Sequence, residues 1–157
     1  MVKCTSLDIL RLITWIAYYK NNVILNKTQV QKILYICYGL SLVKSETPLF
    51  EDDTPKAWPF GPVFPITYRR YVEHYPAPIT EEEKKKFGEI PIIKDIFDIV
   101  NRYCHYTSKS LSEWSHQIGG PWWQEVYKDG TGAKWNNRIP NESIRKYFEG
   151  EWSKGLE

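Results

Sequence analysis

The sequence contains little cysteine, and none of it is arranged to hold a metal or a disulfide framework. The 157 residues include three cysteines, Cys4, Cys37 and Cys104, which are widely spaced and form no Cys-x-x-Cys pair. An odd number of scattered thiols is typical of a reducing compartment, so we expect a cytoplasmic protein. Cys37 and Cys104 lie in apolar helical patterns and are predicted to be reduced core residues.

Long apolar runs and strong net charge are also missing. The longest charge-free stretch in an apolar pattern, residues 33–43, has eleven residues, whereas about 20 are needed to cross a bilayer. Asp8 and Arg11 interrupt the N-terminal apolar pattern, so no signal peptide is expected. The net charge of +2 is small, which argues against nucleic acid as a partner. The length of 157 residues predicts a single domain, 1–157. The short apolar run predicts that this domain does not enter a membrane.

Patterns typical of catalysis are absent as well. The sequence has no Gly-x-Ser-x-Gly turn and no glycine-rich phosphate loop. Gly119-Gly120 leads into Pro121, which has no N–H to offer an anion. Ser115 and His116 are neighbours on a predicted helix, so their side chains diverge. The sequence therefore predicts no enzymatic activity and no cofactor.

One catalytic alternative stays open, a metal-dependent hydrolase built from the three histidines. His74, His105 and His116 are too far apart in sequence to chelate a metal as neighbours on one helix. Such a site would require three distant segments to converge. Metal analysis of the purified protein would distinguish it from a binding protein.

Apolar spacing predicts a mainly α fold of about six or seven short helices, with little or no β structure. Thr5 with Asp8, and Asn26 with Gln29, fit the capping box that begins a helix. Gly39 inside the second helix indicates close approach of a neighbour, because glycine there costs about 1 kcal/mol relative to alanine. The predicted helices are 6–19, one beginning after Asn26, 65–74, a turn from Thr80, 91–104, 111–118 capped by Ser110 with Glu113, 121–127 and 140–148.

The segment 48–68 has no simple periodicity. It holds five prolines, five aromatic residues and one glycine in 21 positions. Proline fixes φ and removes a backbone donor, so these prolines largely determine the path of the chain. Such a rigid and aromatic connection either fills its own core or presents a docking surface. Within the helix predicted to follow it, we expect Tyr68, Tyr71, Val72 and Tyr75 to face inward or toward a partner.

A series of short motifs runs in order along most of the chain. They are Gln31-Lys32-Ile33-Leu34-Tyr35, Pro48-Leu49-Phe50, Ala57-Trp58, Gly61-Pro62-Val63-Phe64-Pro65, Leu111-Ser112, Ser115-His116 and Gly120-Pro121-Trp122, with a closing segment 139–148. In these motifs the chain resembles the Panacea family, also called SocA-like antitoxins. Residues 28–30, the pair Pro59-Phe60 and residues 52–55 depart from the family pattern, which affects the identity of the partner more than the fold.

The resemblance implies an antitoxin that neutralises a cognate protein toxin by direct binding. Some members of the family instead act as proteolytic adaptors, which would add a protease as a second partner. A further alternative is a nucleic-acid-binding regulator of its own operon, which a steep salt dependence of promoter binding would indicate. The identity of the toxin does not follow from this chain.

The aromatic and basic residues around the two loops are the predicted partner-binding residues. They are Trp58, Phe60, Tyr68, Arg69, Arg70, His116, Trp122 and Trp123. Two readings stay open for His116, a hydrogen bond to a backbone carbonyl of the 58–65 loop or a contact with the partner. Arg69-Arg70 either pairs with phosphate or with acidic side chains, or forms a solvated helix face.

Seven tryptophans are many for this length. We expect Trp15 and Trp58 in the core, whereas core and interface remain open for Trp123, Trp135 and Trp152. Adjacent Trp122 and Trp123 cannot both face one core from a helix, so at least one should lie near the surface.

Overall fold

The computed structural model describes residues 3–128, 130 and 132–150, and within them the chain is mainly helical. The predicted fold class is confirmed, with eight helices in the described residues, slightly more than expected. They are α1 (Ser6–Asn21), α2 (Lys27–Lys44), α3 (Pro65–Arg70), α4 (Glu81–Gly88), α5 (Ile93–Tyr103), α6 (Ser108–Ser115), α7 (Pro121–Tyr127) and α8 (Asn141–Gly150). A small hairpin of β1 (Lys56–Trp58) and β2 (Gly61–Val63) lies between α2 and α3.

The first two helices begin where the capping pairs predicted. The Thr5 side chain accepts from the Asp8 N–H while Asp8 accepts from the Thr5 N–H. Asn26 and Gln29 form the same reciprocal pair at the start of α2. Each pair satisfies N–H groups that a helix leaves without internal partners. The local sequence therefore fixes both starting points.

Helix α2 is the centre of the molecule. It packs against α1, α5, α6 and α8, and also against the hairpin and α3. Residues 30–39 are buried on every face rather than along one stripe. The Cys37 thiol is fully buried, as predicted, and desolvation raises its pKa well above the ordinary value. A helix buried all round can carry polar side chains only if the neighbouring elements satisfy them.

Gly39 allows α8 to approach α2 closely, which confirms the predicted reason for a glycine in this helix. A Cβ atom at position 39 would overlap the ring of Phe148. Phe148 is itself buried and lies edge-on to Tyr35 of α2, with ring centroids 5.4 Å apart. The glycine thus lowers the helix propensity of α2 but leaves room for close contact with α8.

We expect Gly39→Ala to destabilise the fold by about 2 kcal/mol, because overlap with the Phe148 ring outweighs the gain in helix propensity. Urea unfolding of Gly39→Ala, Phe148→Leu and the double variant should give a coupling of about 1 kcal/mol, since the smaller side chain relieves the overlap. Gly88→Ala in α4 is the control, because no heavy atom lies within 4 Å of its added Cβ. Equal effects of the two alanine substitutions would contradict this account of Gly39.

Helix α3 is shorter than predicted and its continuation is extended. It ends at Arg70, and Tyr71 has β-region backbone angles. Tyr71 is buried and its hydroxyl donates to the Leu25 carbonyl. Val72 and Tyr75 are largely exposed, so of the two expected orientations only the one toward a partner stays open for them. The bond from Tyr71 holds the extended chain against the start of α2, which a local pattern does not reveal.

Two further helix starts differ from the prediction. Helix α6 is capped by Thr107, whose hydroxyl accepts from the Ser110 N–H, so the proposed Ser110–Glu113 capping box is wrong. Helix α5 begins at Ile93 rather than at Pro91. No helix in the described part of the chain is both long and apolar enough to cross a membrane.

Candidate functional site

The hairpin is the centre of the candidate site, and its backbone requires a glycine. Gly61 has φ +106°, a region that residues with a Cβ rarely adopt. A Cβ there would also lie 2.5 Å from Ser115 Oγ and 3.0 Å from Lys32 Cε. On the far side, an extended segment that contains Arg138 pairs with β1 through the bridge between Lys56 and Arg138. The short hairpin is therefore enclosed by α2, α6 and this segment.

Gln31 connects α2 to the exit of the hairpin. Its side chain is 1% exposed. Its Oε1 accepts from the Phe64 N–H at 2.7 Å, and its Nε2 donates to Thr67 Oγ1 at 2.9 Å. The Thr67 N–H donates in turn to Asp53, which caps the start of α3. The orientation of α3 relative to α2 thus depends on one buried amide.

Lys32 reaches the hairpin from the next position on α2. The residue is 1% exposed, and its Nζ donates to the Pro62 carbonyl at 3.1 Å. Desolvation lowers its pKa to about 7. No carboxylate of the described residues forms an ion pair with it. A buried lysine without a counterion is costly and therefore unusual in a fold of ordinary stability.

His116 and Trp122 hold the other strand of the hairpin. His116 Nε2 donates to the Pro59 carbonyl at 3.0 Å, and Trp122 Nε1 donates to the Trp58 carbonyl at 2.7 Å. Their rings are edge to face with centroids 4.2 Å apart. The predicted hydrogen bond from His116 to the loop is confirmed. Burial lowers the pKa of His116, so the neutral ring with its proton on Nε2 is the form that makes this bond.

The outer face of the hairpin is aromatic. Phe60, at the turn, is 58% exposed. Tyr68 of α3 lies edge-on to Trp58 with centroids 5.4 Å apart, and the Lys27 ammonium lies 4.5 Å from the centre of the Tyr68 ring. We call these four residues, Lys27, Trp58, Phe60 and Tyr68, the hairpin face.

Two basic residues follow Tyr68 on α3. Arg69 and Arg70 are both exposed, and no ion pair or hydrogen bond joins either side chain to another described residue. Other surface cations of the chain do have acidic partners, for example Arg11 with Glu83 and Lys44 with Asp95. Arg70 lines a surface pocket with residues of α1 rather than with the hairpin. Both basic groups are available to an external partner.

The tryptophans only partly follow the prediction. Trp58 and Trp15 are half-buried rather than core residues. In the case of Trp58 the ring is held near the surface, because its Nε1–H donates to Asn136 Oδ1 at 2.9 Å. Trp122 is buried and Trp123 is half-buried, as adjacency on a helix required. Trp123 contacts Tyr127 and makes no recorded contact with the hairpin. Trp135 is exposed, and Trp152 lies outside the described residues.

The structure therefore brings five of the eight predicted residues together at the hairpin: Trp58, Phe60, Tyr68, His116 and Trp122. Gln31, Lys32 and Lys27 were not predicted as residues of the site. Two polar residues in the middle of an apolar helix were a usable signal, since buried polar groups require partners. That signal names no partner, because the hairpin that supplies it is distant in sequence.

The three histidines do not converge. His74 is exposed, His105 lies 3.3 Å from Asn21 Oδ1, and His116 bonds the hairpin. In the part of the chain that the structure describes, no three His, Cys, Asp or Glu side chains are grouped as metal ligands.

Comparison with known proteins identifies the family of the chain. The family model "Antitoxin SocA-like, Panacea domain" matches residues 30–123, which begin in α2 and end in α7. The chain belongs to this family. It is 30% identical over 131 residues to Antitoxin SocA of Caulobacter vibrioides (strain NA1000 / CB15N), an alignment that covers 76% of this chain and 69% of that protein. No solved structure matches the chain significantly.

Proposed function

We propose that this chain is an antitoxin that neutralises a cognate protein toxin by binding it through the hairpin face. The observation that carries the proposal is an exposed Phe60 on a turn whose backbone is held from three sides. The buried side chains of Lys32 in α2 and Trp122 in α7, and the half-buried His116 at the end of α6, donate to it. An aromatic group on a rigid support binds with little loss of conformational entropy. The assignment of a toxin as the partner rests on membership of the SocA-like family.

Four buried or half-buried side chains of the site support the backbone of the hairpin, and others are left to contact a partner. Gln31, Lys32, His116 and Trp122 direct their polar atoms at the backbone of the hairpin or its exit. The exposed groups Phe60, Arg69 and Arg70 and the half-buried Tyr68 remain for the partner. We propose no catalytic role for any of them. Among the described residues of the site, His116 and Lys32 donate to backbone carbonyls, and Lys27 lies against the Tyr68 ring.

We expect Phe60→Ala to weaken toxin binding about 30-fold or more while leaving the fold intact, since buried aromatic anchors contribute 2 kcal/mol or more to interfaces. The toxin candidate is the open reading frame beside the antitoxin gene. Growth after co-expression measures neutralisation, and titration calorimetry of the purified pair measures Kd. Tyr75→Ala is the matched control, because Tyr75 is also exposed but lies against Tyr18 of α1.

Full neutralisation by Phe60→Ala would overturn the assignment of the hairpin face. Loss of neutralisation by both variants, with melting temperatures unchanged, would place the interface elsewhere or make it much larger. Proteolytic delivery has a separate signature, a fall in toxin abundance that stops in a host lacking its ATP-dependent proteases. Direct binding leaves toxin abundance unchanged.

A further inference from the structure

A small cavity lies between α2 and the hairpin, beside the hairpin face. Its volume is about 140 Å³. The lining residues are Lys27, Thr28, Gln31 and Lys32 of α2 with Phe60, Val63 and Tyr68. Water occupies about 30 Å³ per molecule in the liquid, so the space suits a group of four or five heavy atoms. This is the size of the end of one side chain.

The cavity is positively charged and holds no compensating acid. Two of its lining residues are lysines and none is acidic. The protonated Lys32 amine has three N–H groups, of which one donates to Pro62. Lys27 contacts the Tyr68 ring and no carboxylate of the described residues. The first turn of α2 also lacks an acidic residue, unlike those of α1, α4 and α5, so its positive dipole end is uncompensated.

The remaining lining combines apolar and polar groups. Val63 is buried, whereas Phe60 is mostly exposed at the tip of the turn, and Thr28 adds a hydroxyl. Both ends of the Gln31 amide are bonded inside the protein, which leaves its second Nε2–H for a ligand. A ligand in this cavity would therefore meet two amines and two aromatic rings as its main contacts.

We propose that this cavity receives the carboxylate of an Asp or Glu side chain from the protein partner, which pairs with Lys27 and Lys32. The inference rests on the proposed function and names the chemistry of the partner surface. A carboxylate supplies the counterion that the buried lysine lacks, through charge-assisted hydrogen bonds in a partly enclosed site. A nucleic-acid phosphate suits the cavity less well, since a phosphodiester continues on both sides whereas this space admits one chain end.

The test uses propionate as the probe on the isolated chain, so it does not depend on the identity of the toxin. In ¹H–¹⁵N NMR titrations at constant ionic strength, propionate should give saturable shifts in residues 27–32 and 60–68. Propionamide, the neutral isostere, should bind about tenfold more weakly or worse, since it lacks the charge. Dimethyl phosphate is the phosphodiester probe, and tighter binding of it than of propionate would overturn the proposal in favour of nucleic acid.

Matched variants connect the shifts to the two lysines. Lys32→Met and Lys27→Met should each weaken propionate binding about tenfold, whereas Lys94→Met, which is outside the cavity, should not change it. Lys27 is half-buried at the edge, so its variant tests the site even if Lys32→Met alters the hairpin. Shifts that never saturate, or that persist unchanged in the Lys27 and Lys32 variants, would overturn the cavity as a carboxylate site. That result would leave the toxin-neutralisation assay with Phe60→Ala unaffected.

Discussion

The free energy of unfolding of the wild-type protein is expected to rise by about 1.5 kcal/mol between pH 7 and 8.5, and Lys32→Met is expected to abolish this rise. The wild-type rise follows from burial, which lowers the Lys32 pKa from 10.5 to about 7 in the folded chain. Between these two values the unfolded chain holds a proton that the folded chain has released. Raising the pH therefore favours the folded state, and the penalty for the buried charge is present in full below pH 7.

The pH window separates Lys32 from the other perturbed groups. Desolvation lowers the pKa of His116, and the charge of Lys32 adds to this shift. His116 therefore affects stability only below pH 6.5, outside this window. Burial raises the pKa of Cys4 and Cys104 above their ordinary 9.0, so these thiols lower stability only at higher pH. Lys32 is thus expected to dominate the slope between pH 7 and 8.5.

Urea unfolding followed by circular dichroism at several pH values measures this slope. Lys27→Met is the control, because it makes the same chemical change five residues earlier on α2 at a half-buried position. It should keep the wild-type slope. At pH 6 the Lys32→Met variant should be at least as stable as wild type, since methionine carries no charge to desolvate. Parallel curves for all three proteins would show that Lys32 stays charged and solvated in the folded chain.

The same proton connects stability with the proposed partner. A carboxylate in the cavity favours the charged form of Lys32, so partner binding should take up a proton near neutral pH. The destabilising charge in the free protein would then become a paired charge in the complex. Lys32 would thereby couple the rigidity of the hairpin to occupation of the cavity.

Local sequence determined the helix starts well and some other boundaries poorly, for identifiable reasons. Thr5 and Asn26 act through bonds to residues three positions away, which a pattern can show. Thr107 and Ser110 are both good caps, and the pattern alone selected the wrong one. The end of α3 depends on the bond from Tyr71 to Leu25, a contact over 46 residues.

The sequence motifs of the site were predictable, but the hydrogen bonds that hold the hairpin backbone were mostly not. Aromatic density and the family motifs located the 48–68 segment and the His116–Trp122 segment, and the bond from His116 to the loop was expected. The hydrogen bonds of Gln31 with Phe64 and of Lys32 with Pro62 were not expected, because they depend on how α2 and the hairpin pack against each other. The exposure of Trp58 has the same origin, since its partner Asn136 follows 78 residues later.

Gln31→Ala is expected to lower the free energy of unfolding by about 3 kcal/mol, because it removes two hydrogen bonds and leaves the Phe64 N–H buried without a partner. Gln29→Ala is a closely matched control. Gln29 also makes two bonds, to the Asn26 N–H and the Tyr106 carbonyl, but it is half-buried. Water can replace its bonds, so we expect a loss of about 1 kcal/mol.

Gln31→Glu separates the two ends of the amide. The carboxylate can still accept from Phe64, but it cannot donate to Thr67, and its burial beside the Asp53–Thr67 bond is unfavourable. Its unfolding free energy should therefore fall between those of Gln31→Ala and wild type at low pH, where a protonated acid can donate, and approach Gln31→Ala as the pH rises. If Gln31→Ala and Gln29→Ala destabilise equally in urea, the Gln31 amide does not hold α3 and the hairpin against α2. The rigid support assigned to Phe60 would then have to come from Lys32, His116 and Trp122 alone.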